Sequence, residues 1–518
     1  MKQAQARYTQ LETRREPFLT RARDAAKLTI PSLLPPSGHT GHSKFSTPAQ
    51  SLGARGVNNL ASKLLLALLP PNSPFFRLTI DDYSLEKLTQ DVGMRGEVEA
   101  ALAKIERATM SEIETTAVRV SASEVLKHLL VTGNALMYLP SDGGVKMFRM
   151  DRFVVSRDPM GNVYEIITKE SINPKMLPED MGVDENGNDL NPDKSIDIYT
   201  HIYLDDKKWH VYQEVKGQVV PESQGTYPYD KSPWIPLRFS RIDGEDYGRG
   251  YVEEYYGDLV SLEGLTQAIV EGSAASAKVL FLVNPNGVTK QQTLTDSPNG
   301  AVRAGNADDV SILQVQKSGD FQVAFSTIES ISSRLSYAFL LNSAVQRSGE
   351  RVTAEEIRYM ANELEAALGG VYSILSLEFQ LPLVKTLMHR LEKQRRIPSL
   401  PKGVIRPAIT TGLEALGRGN DLNKLDLFLQ GAAQTIGPEG LMSRINVADY
   451  LTRRATALGI DSKGLIKSEE ETQQEQQQQQ EAMMQQALSG TSMDMATEVV
   501  KGAMKNGAGA VPPQQGAA

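Results

Sequence analysis

The chain of 518 residues is 40% hydrophobic and 23% charged, apolar enough for a large buried core and too apolar to be wholly disordered. Fifty-five Lys and Arg against 63 Asp and Glu leave a net charge of -8, so any contact with nucleic acid is expected to be local or weak. With no cysteine, disulfides, Cys-ligated zinc, iron–sulfur clusters and thiol nucleophiles are excluded.

At roughly 150 residues per domain, the length suggests three or four structural units. Residues 1–30 mix Arg, Glu and Lys with Leu11, Phe18, Ala22 and Leu28, which reads as a helix stopped by Pro31 and speaks against a secretion signal. The segment GARGVNNLASKLLLALLP from Gly53 reads as a buried helix ended by Pro70 and Pro71. Its apolar stretch 64–69 is far short of the roughly 20 residues a membrane span requires, so a soluble intracellular product is expected. Residues 95–139 continue at helical spacing, with strands entering near Leu136 to Tyr138 and Phe153 to Val155.

After the polar stretch DENGNDLNPDKS, alternating Ile196, Ile198, Ile202 and Leu204 are mirrored by Trp209, Val211 and Val215 across a turn at Asp205 to Lys208, a hairpin pattern. Pro221, Pro228, Pro233 and Pro236 then break up the chain, so 196–240 reads as a small β-rich module inserted into a helical protein. Helical spacing returns from Tyr251 to Gly272, a segment carrying Glu253, Glu254, Asp258, Glu263 and Glu271 and no basic residue. A helix over 321–341 and a long one over 353–396 follow, the latter opened by the capping box Thr353 and Glu356 and bent at Gly369, Gly370 and Pro382. The polar loop NSAVQRSGER, 342–351, joins them. A small helical unit runs to about Ser468, and the Gln-rich tail 469–518 is expected to be flexible.

Signals of chemistry are sparse. No Gly-Lys dipeptide exists to form a Walker loop, which argues against an ATP-driven motor. The six histidines never form HExxH, and His39 and His42 share a Pro-Gly-rich loop where solvated histidines are the plainer reading. The run from Asp184 resembles a calcium loop but has Asp189 where the turn requires Gly and Ser195 where a bidentate Glu belongs. No GxSxG elbow is present, and the carboxylate pairs Asp81/Asp82, Asp308/Asp309 and Glu355/Glu356 are sequence neighbours that do not face one another. Tyr199, His201 and Tyr203 share one hairpin face, where cross-strand packing is expected in preference to a base-stacking platform. Neither a metal site nor a cofactor nor an enzymatic activity is expected.

The segments GARGVNNLASKLLLALLP, DGEDYGRGYVEEYYGDL, LNSAVQRSGERVTAEEIRYMANELEAALGGVYSILS and TTGLEALGRG resemble the portal, or head-to-tail connector, proteins of autographivirus-type short-tailed phages. The resemblance covers roughly residues 5–470 and leaves out the Gln-rich tail and the loop around Asp184. It implies a mainly α chain with an inserted β-rich module, an α+β portal fold of wing, stem, clip and crown. It also implies a ring of identical subunits, usually a dodecamer, at one capsid vertex, through which double-stranded DNA is packaged and ejected and which joins head to tail. Carried onto this chain, 1–195 would be the N-terminal wing with a first stem segment near its end, 196–240 the clip and 241–285 the stem helix. The wing would resume over 286–398 with a tunnel loop at 342–351, followed by a crown at 399–468.

On that resemblance Asn342, Gln346, Arg347, Glu350 and Arg351 would face DNA in the channel. Glu253, Glu254 and Asp258 would be acidic stem or channel residues, and Asp205, Asp206, Lys207 and Lys208 would dock partners. The implied partners are other copies of the chain, phage DNA without sequence specificity, the terminase large subunit, a tail adaptor, and capsid, scaffolding and internal core proteins, with no membrane. Assembly would take place in the host cytoplasm and the product would reside in the virion. An acidic bore would repel phosphates and let the duplex slide, while Arg347 and Arg351 would form a narrow basic collar without base readout. The competing readings are a scaffold or tail adaptor that never encloses DNA and, against the missing motifs, a packaging ATPase or nuclease.

Overall fold

The computed structural model describes residues 3–71, 74–80, 92–178, 194–276, 280–313, 318–341, 363–364, 366–399, 405–409 and 426–437, with a few isolated positions between and beyond these. Helix α1 (Ala4–Lys27) ends before Pro31 and α2 (Leu52–Leu68) before Pro70, where a ring without an N–H stops a helix. Strand β1 (Phe76–Ile80) and helices α3 (Val92–Thr115) and α4 (Val118–Thr132) follow. Gly133, at φ 74°, closes α4 in the left-handed conformation that favours glycine.

A run of strands comes next: β2 (Asn134–Tyr138), β3 (Lys146–Phe148), β4 (Phe153–Arg157), β5 (Val163–Ile172), β6 (Ile196–Asp205), β7 (Lys208–Val215), β8 (Gln218–Val219), β9 (Gly225–Pro228) and β10 (Trp234–Arg238). They form two sheets, one of order β10-β2-β3 and one of order β4-β5-β6-β7-β8 with β9 also paired to β7. The hairpin expected from alternation is present, with Asp205 opposite Lys208 and Ile198 opposite Val215. Its sheet reaches back before residue 196 to β4 and β5, whereas β10, inside 196–240, joins the other sheet. Helix α1 lies on the larger sheet and buries Ala4, Tyr8 and Leu11 against Val154, Ile167, Tyr199 and Tyr212.

The acidic helix is interrupted at Tyr255, giving α5 (Tyr251–Glu254) and α6 (Tyr256–Ser276). Strands β11 (Leu280–Val283) and β12 (Val310–Leu313) pair antiparallel, with the short α7 (Gln291–Thr295) between them, and α8 (Ser318–Ala338) returns along α6. A Cβ on Gly272 would lie 2.7 Å from Phe321 Cε1, so glycine lets that ring rest on the α6 backbone. Within this α6–α8 limb, burial is concentrated at Leu259 and Leu262 on α6 and at Ile331, Leu335 and Ala338 on α8. Val260, Val270, Phe281, Leu282, Val323 and Phe325 are exposed.

Of the long helix expected over 353–396, the first residues and the Thr353–Glu356 box lie outside the described residues. The remainder breaks at Gly369 (φ 56°) and continues as α9 (Val371–Leu375), a π-helical turn (Ser376–Gln380) and α10 (Leu381–Lys393). Pro382 explains the wide turn, because its ring crowds the carbonyl four residues earlier and it donates no hydrogen bond. Strand β13 (Ile405–Ile409) pairs antiparallel with β1, Phe76 opposite Ile409. Such long-range pairing explains why the chain forms two compact units, Met1–Leu88 with Lys104–Arg418 and Thr89–Ala103 with Gly419–Ala518, where length suggests three or four. In the second unit, Tyr450 donates to Asp426 Oδ1 at 2.7 Å on the helix 426–437.

Candidate functional site

The entry to the acidic helix is built by glycines. A Cβ on Gly250 would meet the Val131 carbonyl at 2.7 Å and one on Gly248 the Ser240 carbonyl at 2.7 Å, so the GRG turn lies directly against the end of α4. Asn134 fixes it by accepting from the Gly248 N–H (2.8 Å) and donating to the Gly248 carbonyl (2.9 Å). Both groups are buried, where an unmade hydrogen bond would be costly. The side chain of Arg249, between the glycines, bonds Glu245 at 2.7 Å and Glu253 at 2.8 Å.

Glu253 is therefore paired, and a second arginine, Arg21 of α1, approaches it at 3.3 Å. Asp258 pairs with Arg334 of α8 at 2.8 Å. Glu263 accepts the backbone N–H groups of Ala49 (2.8 Å) and Gln50 (3.1 Å), and Glu271 accepts from Gln267 (2.8 Å). Glu254 makes no ion pair among the described residues, and desolvation raises its carboxyl above the ordinary value. Of the face that reads as uniformly acidic, Glu253 and Asp258 are thus paired with arginines, Arg21 and Arg334 coming from distant parts of the chain, while Glu263 and Glu271 are hydrogen-bonded to uncharged groups. Among the described residues, Glu254, Glu263 and Glu271 have no cationic partner.

Asp205, Asp206, Lys207 and Lys208 form the exposed tip of the β6–β7 hairpin. Asp206 (φ 44°) and Lys207 (φ 59°) both take left-handed conformations, as a two-residue turn matching the strand twist demands. Neither is glycine, so the tip holds strain of order 1 kcal/mol per residue. The sheet beneath it is braced. Glu165 of β5 accepts from Arg7 of α1 (2.7 Å) and bonds His201 Nε2 (3.0 Å), and His201 Nδ1 meets the Tyr212 hydroxyl at 2.9 Å. Burial alone would raise Glu165, but hydrogen bonds from His201 and Arg7 outweigh it and hold the carboxyl at about 2. Tyr199, His201 and Tyr203 are packing residues: Tyr199 meets Tyr8 edge-on and Tyr203 stacks on His210.

Asn342, Gln346, Arg347, Glu350 and Arg351 lie outside the described residues, as does most of the run from Asp184. The chain entering 342–351 is held by residues that sequence reasoning did not single out, Asn59 and Lys63 of α2. Both bond carbonyls at the end of α8. The readable signal was a lysine set among the apolar positions of the α2 segment. His39 stacks on Phe45, and among the described residues no three His, Cys, Asp or Glu side chains gather as metal ligands.

The family described as bacteriophage head to tail connecting protein matches residues 1–466. The portal protein of Escherichia phage T7 is 47% identical over 476 residues, 90% of this chain and 88% of that protein. The portal protein of Pseudomonas phage phiKMV is 32% identical over 466 residues, 87% of this chain and 89% of that protein. Among solved structures, a chain from the neck of the native gene transfer agent particle aligns over 79% of this chain and 90% of that one at 10% identity, with a TM-score of 0.33, too slight a likeness to support an argument.

Proposed function

The chain belongs to the family of bacteriophage head-to-tail connecting proteins and serves as a portal at the head–tail junction of the virion, and from that premise we propose that its copies close into a ring whose bore passes double-stranded DNA. The observation that carries the ring is the α6–α8 limb. Phe325 is 57% exposed, Val323 67% and Phe281 62%, an apolar display that a lone subunit gains nothing from leaving in water. Head-to-tail contacts between identical copies cover such a surface and, if the rotation closes, enclose a hole. Negative-stain images of purified protein are expected to show rings with a central opening; solid particles or monomers would refute the reading.

Within the ring, 196–240 serves as the clip, its strained tip at Asp205 to Lys208 docking the packaging motor and then the tail adaptor. Capsid, scaffolding and internal core proteins meet the rest of the particle. The loop 342–351 contacts DNA through Arg347 and Arg351, each contact weak and blind to sequence. Deleting 205–208 is expected to leave rings intact and impair packaging or tail attachment. The chain by itself is expected to turn over no ATP and cut no DNA, since it offers no Gly-Lys dipeptide for a phosphate loop; turnover that co-purifies with the ring through successive columns would overturn this.

A further inference from the structure

Glu12, Arg15, Glu16, Leu19 and Arg23 of α1 recur at spacings of three and four residues and so share one stripe of the helix. That stripe is one wall of a cavity of about 480 Å³. The segment 35–41, which follows α1, forms a second wall. Arg149, Asp151 and Arg152 in the turn ahead of β4, with Lys169 of β5, form the third. In a chain of net charge -8, this recess is lined by more cations than carboxylates.

Its guanidinium groups have more donors than the surrounding protein uses. The Arg15 side chain is 1% exposed; Nη1 donates to the Tyr8 hydroxyl (3.0 Å) and the Phe153 carbonyl (2.8 Å), and Nη2 to Glu12 (3.0 Å). Its Nε is buried and has no partner among the described residues, and the same holds for Nε of Arg23. A buried donor left without an acceptor is costly. Among the described residues Arg23 approaches a carboxylate only at Glu16, 3.5 Å away, and Arg152 only at Asp151, 3.8 Å away. Asp151 is already filled by Arg149, which bonds both its oxygens at 3.2 and 3.1 Å. Lys169 is paired with Asp197 at 3.0 Å and adds little.

We infer that this cavity binds a small anion carrying a diphosphate group, held by Arg23 and Arg152 from two of its walls, with Nε of Arg15 as a further donor. A phosphate group offers oxygens in several directions and can accept from guanidiniums on different walls, whereas a carboxylate presents one planar edge that a single guanidinium fills, as Arg149 does on Asp151. The volume suits a small molecule and is far too small for a duplex. A bound diphosphate joins α1, the segment 35–41 and the turn ahead of β4, and so restrains that segment.

Full-length protein titrated with sodium pyrophosphate in a calorimeter, against sodium chloride of equal ionic strength, is expected to show one saturable site per chain. Amide hydrogen exchange at 37–41 is expected to slow when that site is filled. Arg23→Gln and Arg152→Gln, the latter at a side chain 42% exposed, are each expected to weaken binding by at least about tenfold, and Arg303→Gln, outside the cavity, to leave it unchanged. Deoxyadenosine diphosphate separates two sources of the same group: tighter binding than pyrophosphate assigns the cavity to a nucleotide whose base meets His39, and equal or weaker binding assigns it to the bare diphosphate. Heat no greater than that of the chloride control, exchange at 37–41 unchanged by saturating pyrophosphate, or binding undiminished in both arginine variants overturns the inference.

Discussion

The braced sheet and the α6–α8 limb belong to one compact unit yet solve opposite problems. In the sheet, α1 covers the core face, and Glu165, His201, Arg7 and Tyr212 satisfy one another. In the limb, two helices cover each other only partly, and several large apolar side chains remain exposed. A region that closes its own surface can present a fixed tip to changing partners. A region that leaves its surface open depends on neighbours for its stability and so ties folding to assembly.

The comparison breaks most sharply at the limb. Val323→Asp with Phe325→Asp is expected to cut the yield of rings by at least about tenfold in native mass spectrometry while leaving the unfolding midpoint of the unassembled subunit unchanged. Rings in normal yield would show that the limb faces no neighbour. At the sheet the effect falls on stability instead. Glu165→Ala strands Arg7 and His201 and is expected to cost about 3 to 5 kcal/mol in denaturant unfolding.

Acid should probe the same body. His128 of α4 is buried with no partner for Nδ1 among the described residues, and burial, then Arg149, holds its pKa at about 4. The unfolded chain therefore takes up a proton before the folded one does. Stability is expected to fall as pH drops from about 6.5 to about 4, by on the order of 3 kcal/mol, and His128→Leu should flatten that window. Glu165, held at about 2, is protonated first in the unfolded chain, so its contribution is complete above the ordinary carboxylate range of about 4.3 and is lost as pH falls toward 2. The smallest expected effect is at the tip, where Asp206→Asn with Lys207→Gly relieves the left-handed turn and should add roughly 0.5 to 1 kcal/mol of unfolding stability.

Elements set by local pattern were legible in the sequence. Prolines marked the ends of α1 and α2, alternation marked the β6–β7 hairpin, and Gly369 with Pro382 marked where the long helix departs from regularity. Pairings between distant segments were not legible, because periodicity says which face is buried but not what buries it. β1 with β13, α1 on the hairpin's sheet, and Arg21 beside Glu253 are all of this kind. The acidic face showed the consequence most plainly: its carboxylates and the neighbouring Arg249 were visible, but Arg21 beside Glu253 and Arg334 beside Asp258 came from elsewhere in the chain. Function was read through four segments of resemblance, which the family match bears out.

Helix α1 begins against a carboxylate that is made much later. Glu214 accepts the backbone N–H of Ala4 at 2.6 Å across a separation of 210 residues, and of Gln5 at 3.0 Å. A ribosome adding about 5 to 20 residues per second needs roughly ten to forty seconds to span that interval. Until Val154 and Ile167 emerge on β4 and β5, Tyr8 and Leu11 have no strand to lie on, and the seat of the first helix translated is complete only when Tyr199, Tyr212 and Glu214 have followed.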